Sequence, residues 1–157
     1  MVCFNLYIFD RRGTCLYYQE WYRSKSVKEG AGSAEDDRRQ LFALFWTIRS
    51  FTSALDPKDS NKPKLGTQLK IGEGCSFHSF KTNVYKFHFL ESPSGLKFVL
   101  NTTPDLVDLR DVLDHIYGHI YVEYVTKNPL YLPGSPFNFE NFTLQLNQYM
   151  KSRGLAQ

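Results

Sequence analysis

Apolar residues fall on both parities of the opening segment, at Cys3, Phe4, Leu6, Tyr7, Ile8 and Phe9. That pattern fits a strand covered on both faces. Asp10-Arg11-Arg12-Gly13-Thr14 supplies a turn in which Gly13 can take positive φ. Residues 15–22, rich in aromatics, return as a second strand, so the chain opens on a hairpin. The polar, glycine-bearing stretch 23–34 reads as a loop. The period then changes: Leu41, Leu44, Phe45, Ile48, Phe51, Thr52 and Leu55 recur at helical spacing and predict a helix over 35–55. Ser33 and Asp36 resemble a capping box at its start, Glu35, Asp36 and Asp37 complement the positive end of the helix dipole, and Asp56-Pro57 ends it.

Three strands follow, over 75–81, 84–91 and 96–102, the last two joined by Ser92-Pro93-Ser94-Gly95. A second helix is predicted over 107–126, stopped by Asn128-Pro129, and a third over 139–153, closed by Gly154. The order ββαβββαα gives an α+β fold class. Strands that are covered on both sides then imply a five-stranded antiparallel sheet with one helix on one face and two on the other. The long polar connection at 56–74 carries Lys58, Lys62, Lys64 and Lys70 but no second domain, and 157 residues fit a single domain over 1–157.

Composition narrows the function classes. A 42% hydrophobic content, with aromatics at 16%, supplies a core and excludes disorder for most of the chain. Nineteen Lys and Arg against sixteen Asp and Glu leave a net charge of only +3, without the clustered basicity of a nucleic-acid binder. The apolar run Leu6 to Phe9 is too short for a membrane span or a signal peptide. Cys3, Cys15 and Cys75 are odd in number and sit among apolar neighbours, so they read as buried free thiols in a reducing, cytosolic compartment. The sequons at Asn101 and Asn141 have no compartment in which to act there.

Candidate chemistry is thin. His115 and His119 have the spacing that lets two imidazoles share a metal, but the glutamate of a metalloprotease helix is missing and no third ligand is signalled. Asp111 and Glu123, one turn to either side, favour a solvated polar face supported by pairs at this spacing. Ile71-Gly72-Glu73-Gly74 lacks the third glycine of a dinucleotide loop and precedes a strand. No phosphate-binding loop, nucleophile elbow or acid pair occurs, and neither a cofactor nor a catalytic residue is expected.

Apolar surface is the stronger signal. On a helical wheel of about 100° per residue the core stripe of the first helix centres on Phe51, Leu44, Ile48, Leu41 and Thr52, with Phe42, Trp46 and Arg49 outside it. These three residue types are enriched at protein interfaces, although the 56–74 loop or the third helix can also cover them. The second helix carries a similar excess. Phe42, Trp46, Arg49, Tyr121 and Val125 are therefore the candidate partner interface.

Phe4 to Gly13 with Cys15-Leu16 and Glu20-Trp21, Phe42 to Phe51 (FALFWTIRSF), Thr82 to Leu100 around Ser92-Pro93-Ser94-Gly95, and His115 to Leu130 (HIYGHIYVEYVTKNPL) resemble the family of the first small core subunit of the transport protein particle, TRAPP. The resemblance runs over most of the chain in order. It implies a longin-like (SNARE-like) domain and a non-catalytic place in a multisubunit tether that exchanges guanine nucleotide on a Rab/Ypt GTPase between endoplasmic reticulum and Golgi. The implied partners are the palmitoylated Bet-type subunit, the second longin-like central subunit and, through the assembled complex, the GTPase. Membrane association would be peripheral and through the complex only, at cis-Golgi and endoplasmic reticulum membranes. The alternative is a free-standing longin domain that regulates SNAREs or sorting; a SNARE of that kind carries a heptad segment and an anchor after the domain, and the chain shows neither.

Overall fold

The computed structural model describes residues 2–22 and 34–157. Ser33, half of the expected capping box, and the expected loop before Ala34 lie outside them. Strands β1 (Cys3–Phe9) and β2 (Cys15–Glu20) form the hairpin, α1 spans Ala34–Ala54, and β3 (Ser79–Lys81), β4 (Lys86–Glu91) and β5 (Lys97–Thr102) follow. Helix α2 (Arg110–His115) runs without a break into a π-helical segment, Ile116–Thr126, and α3 covers Glu140–Ser152. The sheet order is β2-β1-β5-β4-β3, antiparallel throughout, with β1 and β5 at its centre.

Turn chemistry sets both hairpins. Asp10 Oδ1 accepts from the amides of Arg12 (2.9 Å) and Thr14 (2.8 Å), and Gly13 sits at φ 90°. A Cβ at Gly13 would stand 2.9 Å from the Phe42 ring, so glycine is needed for space as well as conformation. Gly95, at φ 88°, donates its amide to Ser92 O at 2.9 Å, as the turn residues predict. The third strand is shorter than its expected span of 75–81, because Cys75 N donates to Ser53 Oγ (3.0 Å) on α1 and so does not pair in the sheet.

Successive side chains point to opposite faces of the sheet. Phe9, Phe87, Phe89 and Val99 meet Phe45 of α1 on one face, with Tyr7, Leu41, Phe42 and Phe77 packed around them. Leu6, Ile8, Phe98 and Leu100 point to the other face, which α2, the π segment and α3 cover through Val112, Leu113, Ile116, Ile120, Phe142, Leu146 and Met150. One helix on one face and two on the other is thus the observed layering. At the end of α3, Gly154 takes φ 70° and its amide reaches Lys151 O, after which Leu155 O accepts from Cys3 N at 3.0 Å, tying the C-terminal turn to the start of β1.

Two expectations about the helices change. The face of α1 turned to the sheet is Leu41, Phe42, Phe45, Arg49 and Ser53. Of the expected core stripe Leu41 packs there, Ile48 and Thr52 are half-buried, and Leu44 and Phe51 look outward at 36% and 52% exposure, with Leu55 beyond them at 62%. The second helix is α-helical for only its first six residues. Beyond them the buried residues are Ile116, Ile120, Tyr121 and Val125, at offsets of 0, 4, 5 and 9. Those offsets spread over about 180° at α-helical pitch but over only about 80° at the roughly 4.4 residues per turn that i→i+5 bonding implies. The excess apolar width in the sequence is therefore one stripe of a wider helix. Lys127 N donates to Val122 O at 3.1 Å, the i→i+5 bond that closes the segment.

Candidate partner-binding surface

Leu44, Ile48 and Phe51, with Leu55 in the turn that follows, recur at i, i+4, i+7 and i+11 and so form one ridge along α1 and its C-terminal end, where Leu55 N still donates to Phe51 O at 3.1 Å. Three of the four are exposed and Ile48 is half-buried. A contiguous apolar ridge on a surface helix marks an interaction site more often than a stray exposed residue does.

The ridge is held outward by what lies beneath α1. The Phe45 ring stacks on Phe89 at 4.1 Å and Phe42 packs on Phe9 at 5.9 Å. Between these rings the Lys97 ammonium lies 5.6 Å from the Phe45 centroid and 5.7 Å from that of Phe42, donates to Gly95 O at 3.2 Å, and stands 3.7 Å from Glu91. Burial lowers the Lys97 pKa, and Glu91 opposes that shift. Arg49 completes the cluster with an ion pair to Glu91 at 3.3 Å. Its guanidinium also donates to Lys70 O (2.6 Å) and Glu73 O (3.2 Å). Ser50 Oγ accepts from Gly66 N at 2.9 Å. Residues 66–75 are thereby tied to one flank of α1, on the side away from the ridge.

The sequence-derived interface residues do not come together on one surface. Phe42 and Arg49 are inside, on the sheet and the loop clamp. Trp46 is 41% exposed, beside Thr67 and Leu69. Tyr121 and Val125 are buried in the core at 3% and 0% exposure, with the Tyr121 hydroxyl 3.3 Å from that of Tyr131. Sequence reasoning missed the ridge because its regular apolar period, the signal that could have revealed it, was assigned to the sheet.

The groups with the chemistry to act as ligands or nucleophiles are engaged in structure. The His115 and His119 rings lie 4.6 Å apart and His115 stacks on Tyr149 at 4.2 Å; its pKa is lowered by desolvation, then by His119 and Arg153. The acids expected to flank them take other partners: Asp111 pairs with Arg153 across to α3, and Glu123 with Lys127. Among the described residues no three His, Cys, Asp or Glu side chains converge as a metal site. All three cysteines are free; Cys3 is buried, which pushes its thiol up to about 12, whereas Cys15 and Cys75 are only half-buried. Among the described residues, no helix is long and apolar enough to cross a membrane.

This arrangement defines a longin-like α+β domain that offers a helical ridge. Residues 3–153 match the Sybindin-like family model, and the chain belongs to that family. It is similar to Trafficking protein particle complex subunit 1 of Rattus norvegicus, 40% identical over 152 residues covering 97% of this chain and 94% of that protein. The subunit of the same name from Dictyostelium discoideum is 36% identical over 148 residues, 94% of each chain. Trafficking protein particle complex subunit BET5 of Saccharomyces cerevisiae is 31% identical over 142 residues, 88% of this chain and 79% of that protein.

Proposed function

We propose that this chain is a single-domain, non-catalytic core subunit of a TRAPP tethering complex, and that the α1 ridge is one of the faces it offers to neighbouring subunits. The observation that carries this reading is that relatives matching nearly the whole chain are named as TRAPP subunits. The ridge adds a physical reason: a helix that leaves Phe51 and Leu55 more than half exposed has apolar surface to bury elsewhere. The partners are other TRAPP subunits, including a palmitoylated Bet-type subunit and a second longin-like one.

In this reading the assembled complex exchanges nucleotide on a Rab/Ypt GTPase in transport from endoplasmic reticulum to Golgi. Exchange asks for no acid, base or metal from this subunit. A complex that binds the nucleotide-free GTPase more tightly than the nucleotide-bound form weakens nucleotide binding by the same factor, and a rigid surface suffices for that. Membrane association is peripheral, through the complex. Copurification of the tagged chain tests the reading: other TRAPP subunits should come down with it, and Phe51→Asp with Leu55→Asp should reduce their recovery without unfolding the chain. A well-behaved monomer that recovers no TRAPP subunit would refute it.

A further inference from the structure

On the face opposite α1 an open groove of about 650 Å³ lies between the two hairpin turns and the π segment, with Tyr131, Pro133 and Gly134 also in its lining. That volume lies in the range of ligand and peptide clefts. Its apolar lining includes Leu96, Tyr117 and Val122, and Arg11 and Arg12 stand at its rim, both exposed. The acid beside them, Asp10, has one carboxylate oxygen engaged by the turn amides of Arg12 and Thr14. Neither arginine makes a side-chain ion pair among the described residues. Asp10 also lines the groove and keeps its charge, so among the described residues two arginines face one carboxylate: the floor is apolar and the rim carries a net positive charge.

The π winding builds one wall. Tyr117, Tyr121, Val122 and Thr126, all in the groove lining, are offset by 0, 4, 5 and 9. They share one side only at i→i+5 pitch, and at α-helical pitch would spread over about half the circumference. π-helical turns occur frequently at functional sites.

We propose that this groove binds an acidic peptide segment with an apolar anchor, its carboxylates against Arg11 and Arg12 and its anchor against Leu96, Tyr117 and Val122. The cationic rim supplies the complementarity that selects an acidic partner over a basic one. This proposal does not depend on the subunit reading above, which uses the opposite face. The test is selection of random 12-residue displayed peptides on the purified chain, followed by anisotropy of labelled winners and hydrogen exchange. Enriched peptides should combine Asp or Glu with Leu, Phe or Ile and slow exchange across 117–126. They should weaken about tenfold or more on Arg11→Glu/Arg12→Glu, and weaken as salt rises. Both arginines are exposed, so the double variant should fold. Enrichment of basic or uncharged peptides, binding indifferent to the double variant, protection on α1 instead, or no enrichment would each overturn the proposal. So would selection of no peptide while phosphatidylserine vesicles bind through Arg11 and Arg12.

Discussion

Acidification should destabilise this fold through one histidine, by an amount the structure sets. His88 on β4 is buried at 1% exposure. Its Nε2 lies 3.1 Å from Thr102 Oγ1, and the Thr102 hydroxyl donates onward to Thr103 O at 3.0 Å, so Nε2 is the donor and Nδ1 keeps its lone pair. Nδ1 has no partner. Protonation would place a second, unpaired N–H in the core. Desolvation, helped by the Lys86 ammonium and opposed by Asp108, lowers the pKa from 6.5 to about 4. Each pKa unit corresponds to about 1.4 kcal/mol, so the unprotonated ring contributes about 3 kcal/mol. The folded value lies below the unfolded one, so the contribution is whole above pH 6.5, is lost as pH falls to about 4, and is flat below that. The assay is urea unfolding followed by tryptophan fluorescence at a series of pH values from 7.5 to 4, for the wild type and for His88→Leu. The other titrating groups are common to both proteins and cancel in the difference. Between the ends of that series the wild type should lose about 3 kcal/mol more than the variant, a large share of the ~5–15 kcal/mol a domain has. Parallel curves, or a His88 ring signal that titrates near 6.5 in the folded protein, would refute the reasoning.

The two faces of α1 should separate stability from assembly. Phe45→Ala, at a site 2% exposed and stacked on Phe89, should cost about 3–5 kcal/mol in denaturant unfolding. Phe51→Ala should change stability by less than about 0.5 kcal/mol yet reduce recovery of partner subunits on copurification. Gly13→Ala should lower stability by about 1–3 kcal/mol in thermal melts, since it needs both positive φ and the space the Phe42 ring fills. Arg49→Gln should release the Lys70 and Glu73 carbonyls, and hydrogen exchange at residues 66–75 should quicken while amides in β1 and β5 keep their protection.

The strands were legible because their signals are local: apolar runs bounded by Asp10 to Thr14 and by Ser92 to Gly95 leave little choice of element or turn. The orientation of α1 was not. A wheel places the most apolar stripe inward, but only Leu41 of that stripe joins the contact, which otherwise consists of two large rings with Arg49 and Ser53, whose polar ends meet Glu91 and the 66–75 backbone. A charged residue on the inner face counts against that face in any hydropathy pattern, and its partner, Glu91, is 42 residues away in sequence. Arg49 stands out already in the sequence, and of the neighbours the sequence allows for it the 56–74 loop is the one that holds its guanidinium here. Tyr121 and Val125 misled for a different reason: a 3.6-residue period was imposed on a segment wound more widely. The offsets 0, 4, 5 and 9 were visible in the sequence, and a search at the wider period would have found them.

That wider winding has a counterpart in chain length. Deleting Gly118, which is exposed and meets no neighbouring atom where a Cβ would stand, brings Ile116, Ile120, Tyr121 and Val125 to offsets of 0, 3, 4 and 8, an ordinary α-helical stripe. The segment thus behaves as an α-helix carrying one surplus residue, absorbed by a larger radius along its length, and a chain one residue shorter here should still reach the same core.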